Sequence, residues 1–158
     1  MKKYVLLASL IVAGFAACLK DKSTSCDPSP INITAPSSEV NALKGYLTGN
    51  GITTTEDPRG FFYNMTATGS GTKPTPCNTV TVDYVARLLD GTKVDSANNA
   101  VYPVNAFITG WQEALPLMMP GSRMVLYLPP SLAYGSQANG NVPANSNLRF
   151  DIYLKEVK

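Results

Sequence analysis

A chain of 158 residues that is 44% hydrophobic can form one domain around a packed core. Thirteen basic and eleven acidic residues leave a formal charge of +2, and the basic residues are scattered, which argues against a nucleic-acid partner. Histidine is absent and the cysteines at 18, 26 and 77 have no zinc-site spacing, so the sequence points away from metal chemistry and from histidine-based proton transfer. No metal or cofactor is expected.

Met1, Lys2 and Lys3 precede an uncharged apolar run from Tyr4 to Ala17. This is the pattern of a secretory signal, and the run is shorter than the roughly 20 apolar residues a spanning helix needs. It ends in Phe15-Ala16-Ala17-Cys18, which resembles a bacterial lipobox. On that reading residues 1–17 are removed, Cys18 carries the lipid, and the mature protein is anchored to a bacterial membrane on its periplasmic or outer side. Phe15 stands where leucine is usual, which leaves open cleavage by ordinary signal peptidase after Gly14-Phe15-Ala16. Residues 18–36, rich in Ser, Thr, Asp, Lys and Pro, read as a flexible lipidated tether. With Cys18 acylated, Cys26 and Cys77 remain as a pair in an oxidising compartment, either bridged or as two free thiols.

Residues 37–59 read as a short helical lead-in. Ser37 and Ser38 are expected to cap a helix in which Val40, Leu43 and Leu47 share one face, and Gly49 is expected to stop it. Gly60 to Thr68 reads as a strand closed by Gly69-Ser70-Gly71. From Thr79 to Leu88 the alternation of Val80, Val82, Tyr84, Ala86 and Leu88 predicts a strand, followed by hairpin-turn chemistry at Asp90-Gly91. Ile108 to Leu115 predicts a short helix beginning at Thr109. Arg123 to Leu128 reads as a strand stopped by Pro129-Pro130. Residues 131–146, heavy in Gly, Asn, Ser and Pro, form a loop over a surface cleft, and Leu148, Phe150, Ile152 and Leu154 alternate in a last antiparallel strand. The fold class is α+β.

The segments VTVDYVARLLDG, VDS, YPVNAFITGW, EALPLMMPG, LPPSLAYG and VPANSNLRFDIYLKEV, in this order, resemble the FKBP-type (immunophilin) peptidyl-prolyl cis-trans isomerases. GFFYNMTATGSG extends the resemblance towards secreted bacterial members, so that residues 60–158 form the isomerase domain. The resemblance implies an antiparallel β-sheet wrapped around one short α-helix. It also implies a pocket floored by Trp111 and walled by Tyr84, Phe107, Ile108, Val142 and Phe150. Tyr134 matches the tyrosine that contacts a substrate carbonyl, Asp95 matches the lone carboxylate of the pocket, and Tyr84 joins them as a catalytic candidate. Val94 stands where a phenylalanine usually lines the pocket, which implies a wider site; Ala86 replaces a glycine and Ala144 a proline. A macrolide ligand also follows from the resemblance.

Rotation about an X-Pro bond meets a barrier of roughly 20 kcal/mol, yet no covalent bond or proton must move. A dry aromatic pocket with one or two fixed hydrogen-bond donors suffices, which suits a chain without histidine. The reading is therefore an isomerase acting on proline-containing exported polypeptides. Its rivals are a catalytically weak, chaperone-like module that binds unfolded chains, a structural lipoprotein on the same fold and a small-ligand binder. About forty residues between Cys18 and Gly60, with one helical pattern, leave little room for a dimerising domain, so a monomer is expected.

Overall fold

The computed structural model describes residues 26–158, so the leader and the cysteine proposed for lipidation, Cys18, lie outside the described residues. Its elements are α1 (Ser37–Gly49), β1 (Thr55–Glu56), β2 (Phe62–Ala67), β3 (Thr79–Leu88), β4 (Lys93–Pro103), α2 (Thr109–Ala114), β5 (Arg123–Leu128) and β6 (Leu148–Val157). Single 3₁₀ turns at Val104–Ala106, Leu115–Leu117 and Pro130–Leu132 complete them. The strands form one antiparallel sheet in the order β1-β2-β5-β6-β3-β4. This is the α+β sheet around a short helix that the sequence implied.

Alternation along β3, β5 and β6 turns Val80, Val82, Met124, Leu126, Leu128, Ile152 and Leu154 onto one face, where α2 adds Trp111 and Ala114 and the turn after it Leu115. Helix α2 can lie this close because residue 110 is glycine. A Cβ there would stand 2.3 Å from Cδ2 of Leu128 and 2.6 Å from its Cδ1. The helix therefore seats Trp111 directly over the sheet.

The other face is covered at one end by α1, whose Leu43 and Leu47 pack with Phe62 and Tyr127, opposite residues on β2 and β5. The start of α1 differs from the expectation. Its N-cap is Pro36, neither serine makes a side-chain cap, and the Pro36 carbonyl accepts the N–H groups of Glu39 and Val40. The helix ends at Gly49, as expected, and Gly51, at φ +66°, takes the left-handed position that closes it. Ile52 N–H then donates to Leu47 O and Gly51 N–H to Thr48 O, a Schellman closure. Glycine is needed at the residue after the cap, where a side chain would be strained.

Residues expected to be tether are joined to the domain at their C-terminal end. Ala35 is buried and its N–H donates to Arg59 O, and Ile33 N–H donates to Glu113 Oε1 at 2.8 Å. Glu113, on α2, is itself buried, and that burial pushes its carboxyl above the usual range. A disulfide joins Cys26 to Cys77, two residues before β3, with Cα atoms 5.6 Å apart.

Two irregularities shape β4. Register with β3 slips so that Asp95 faces Ala86 while Lys93 faces Arg87, leaving Val94 as an extra residue. The second slip, at Asn98 and Asn99, puts Asn99 at φ +53°, and Asp83 Oδ1 accepts its N–H at 2.7 Å.

Candidate functional site

At the end of the sheet reached by β3, β4 and β6, a cavity of about 320 Å³ opens to solvent. Trp111 is its floor, only 2% exposed. Phe107 stacks on the indole at 4.8 Å with the planes 20° apart, and Tyr84 and Phe150 meet it edge-on at 5.3 and 5.4 Å. Three aromatic side chains from three different elements thus fix one indole in place, by contacts that edge-to-face and offset-stacked rings favour. Ile108, the N-cap residue of α2, adds an aliphatic wall.

Polar groups gather on one side of the mouth. Tyr84 donates its hydroxyl to Asp95 Oδ2 at 2.5 Å, and Ser96 N–H donates to Asp95 Oδ1 at 2.7 Å. Burial, together with the bond to Asp95 and the charge of that carboxylate, raises the Tyr84 hydroxyl far above the ordinary tyrosine range. Tyr134, from the loop after β5, faces the same space, and burial followed by the charge of Asp95 raises its hydroxyl too. Among the described residues the Tyr134 hydroxyl makes no hydrogen bond. Gln112 supports the opposite rim. Its Nε2 donates to Phe107 O at 2.7 Å and to Asn105 O at 3.3 Å, holding the turn that carries Ala106 and Phe107.

Of the residues singled out in the sequence, Asp95, Tyr84, Tyr134, Trp111, Phe107, Ile108 and Phe150 all border this cavity. Val94 and Val142 do not. Val94, the extra residue of the first slip in β4, is buried in the core, and Asn141 Nδ2 donates to its carbonyl. Val142 is also in the core, its backbone paired with Asn139. Both aliphatic side chains are spent on packing beneath the wall. The structure adds Tyr102 and Ala106 to the lining; Tyr102 meets the Phe107 ring edge-on at 5.8 Å. Alternation could have found Tyr102 had β4 been recognised, but its two slips hide the period.

Residues 70–155, more than half of the chain, match the family described as FKBP-type peptidyl-prolyl cis-trans isomerase. The chain belongs to the FKBP family. Among curated FKBP proteins, it is 39% identical over 128 residues to "FKBP-type peptidyl-prolyl cis-trans isomerase FkpA" of Aeromonas hydrophila, covering 75% of this chain and 47% of the relative. It is 42% identical over 106 residues to "Outer membrane protein MIP" of Legionella longbeachae, covering 64% and 46%. The chain thus spans about half the length of the curated relatives it matches. Among solved FKBP structures, a peptidyl-prolyl cis-trans isomerase from Pseudomonas syringae superposes with a TM-score of 0.68 at 29% identity, covering 78% of this chain and 97% of that one.

Proposed function

We propose that this FKBP protein is a peptidyl-prolyl cis-trans isomerase acting on proline-containing polypeptides outside the cytoplasm. The observation that carries the reading is the indole of Trp111, held on three sides by Phe107, Tyr84 and Phe150 beneath an open cavity. A proline ring laid on that face leaves water, and its imide nitrogen loses the solvent that stabilises the planar, charge-separated amide. The twisted imide is less polar than the planar one, so a dry aromatic floor favours it over the ground state.

Two polar devices fit this chemistry. The unengaged Tyr134 hydroxyl can donate to a substrate carbonyl and fix the chain while the bond turns. Asp95, with one oxygen on Tyr84 and the other on Ser96 N–H, orients the Tyr84 ring against Trp111 and presents negative charge at the mouth. No group has to gain or lose a proton. A pocket of these dimensions also suits a macrolide that mimics the proline ring.

Export is supported by the apolar segment at residues 4–17, which Lys2 and Lys3 precede, and by the similarity to the outer membrane protein MIP of Legionella longbeachae. Within this reading Cys18 carries the lipid, residues 19–25 link it to the disulfide-anchored domain, and the protein acts as a monomer.

The test is the cis-to-trans rate of a short X-Pro peptide with the protein and two variants. Wild type is expected to accelerate it. Asp95→Ala should lower kcat/KM about tenfold, equivalent to about 1.4 kcal/mol. Tyr134→Phe, which deletes one hydrogen bond, should lower it several-fold. Folded wild-type protein that gives no acceleration would leave a binding module without catalysis.

A further inference from the structure

The edge of β4 beside the cavity carries features that a site for a single proline ring does not need. Among the described residues the exposed large hydrophobics are Ile33, Val101 and Tyr102, and the last two are neighbours on this strand, each 53% exposed. β4 ends the sheet, so one side of its backbone has no strand partner. The register settles which groups are free. Thr79 exchanges both backbone hydrogen bonds with Lys158 on the β6 side, and Val104 N–H donates inward to Asn78 O. By alternation the Val80–Tyr102 pair is hydrogen-bonded and the Thr81–Val101 pair is not, which turns the N–H and C=O of Val101 outward.

Sheet edges are ordinarily protected by lysine or other charges. Here Ser96 to Gln112 contains no charged residue. The protection is a bulge instead, and it sits further back, at Asn98 and Asn99, where Asp83 and Lys155 hold Asn99 by its N–H and its side-chain oxygen. Ala100–Pro103 is left regular, uncharged and open. It is also continuous with the cavity, because Tyr102 is both its most exposed ring and part of the cavity wall.

We propose that Ala100–Pro103 is a docking strip for the extended, uncharged stretch of a client polypeptide that flanks the proline seated on Trp111. The flanking segment adds alongside β4, taking up the N–H and C=O of Val101 and resting on the Val101 and Tyr102 side chains. This deepens the isomerase reading and rests on it. Unfolded chains, which supply a flanking segment, gain affinity that a short peptide cannot gain.

The experiment compares two substrates, a short X-Pro peptide and an unfolded protein whose refolding is limited by a proline bond. It uses wild type, Val101→Lys and the milder Val101→Thr, since Val101 does not line the cavity. Val101→Lys should leave kcat/KM for the peptide within about twofold of wild type. It should raise KM for the refolding substrate about fivefold or more, with Val101→Thr between. Equal loss on both substrates, or loss on neither, overturns the proposal. So does a concentration-dependent sedimentation coefficient that Val101→Lys abolishes, which would make the strip a contact between copies of this chain. If wild type fails on the short peptide, the isomerase reading fails separately. The strip is then tested by adding an extended apolar peptide without proline and following the Val101 amide resonance, whose failure to shift overturns the docking strip itself.

Discussion

Asp95 and Tyr84 share a hydrogen bond whose donor keeps its proton. Tyrosine ordinarily titrates near pH 10, whereas burial and the Asp95 carboxylate move Tyr84 well above that. A raised tyrosine is neutral at every pH below its shifted value, so the 2.5 Å bond survives into alkali. Isomerisation of a short peptide is therefore expected to stay level from neutral pH to about 10, near the usual tyrosine value. A rate profile measured over that range checks it, and a fall centred below 10 would show that the hydroxyl ionises early. The residues of this site were legible in unequal measure. Trp111 stands at a helix entry, in Ile108-Thr109-Gly110-Trp111, where a plain core residue is a weaker explanation, whereas Tyr134 by itself reads equally well as a loop tyrosine. Asp95 is visible only through the resemblance, because an aspartate in Val-Asp-Ser reads equally well as a turn residue. Val94 is the extra residue of the first slip in β4 and packs in the core, and the sequence shows no sign of where that slip falls.

Among the elements, β6 was legible because it alternates without interruption against one core face, β3 by the apolar positions Val80, Val82, Tyr84, Ala86 and Leu88, and β5 as a short apolar run stopped by Pro129-Pro130, whose Tyr127 is buried on the opposite face beneath α1. β4 escaped because its eleven residues contain two slips, and asparagines stand where a strand would show β-branched residues. The start of α1 was misjudged because capping by Ser37 or Ser38 is only one way to satisfy free N–H groups. The Glu39 carboxylate, two residues after the start of α1, accepts the Ser131 N–H at 2.9 Å and ties the helix to the loop that leads to Tyr134. For α2 the decisive residue is Gly110. Gly110→Ala would drive a methyl into Leu128, which is fully buried and has nowhere to yield. Such overpacking costs about 1–3 kcal/mol, and because Trp111 is the next residue the cavity floor should shift with the helix. The expected outcome is a lower denaturation midpoint together with reduced peptide isomerisation; an unchanged midpoint would mean that the helix can move away freely.

At the scale of the whole molecule, the sheet is covered on one face by α2 and at one end of the other by α1, and the segment before α1 is joined to both the core and β3. The Cys26–Cys77 disulfide spans 51 positions of sequence. On the chain-entropy argument, closing a loop of that size stabilises by about 4 kcal/mol. Reduction is expected to remove up to this amount, read as a lower midpoint of denaturant unfolding with and without reductant, while the proposed isomerase site, built from residues beyond the bridge, should keep any peptide activity. An unchanged midpoint would show that the hydrogen bonds of Ile33 and Ala35 carry the segment unaided. The bridge also decides how the molecule bears load. A pull on the chain from its N-terminal side cannot peel away residues 27–76 one contact at a time, because the covalent link hands the force from Cys26 to Cys77. From there it enters β3, a central strand hydrogen-bonded to β4 on one side and to β6 on the other. The hydrogen bonds at Ile33 and Ala35 and the packing of α1 stay outside the line of force, so the segment ahead of the bridge is spared the load.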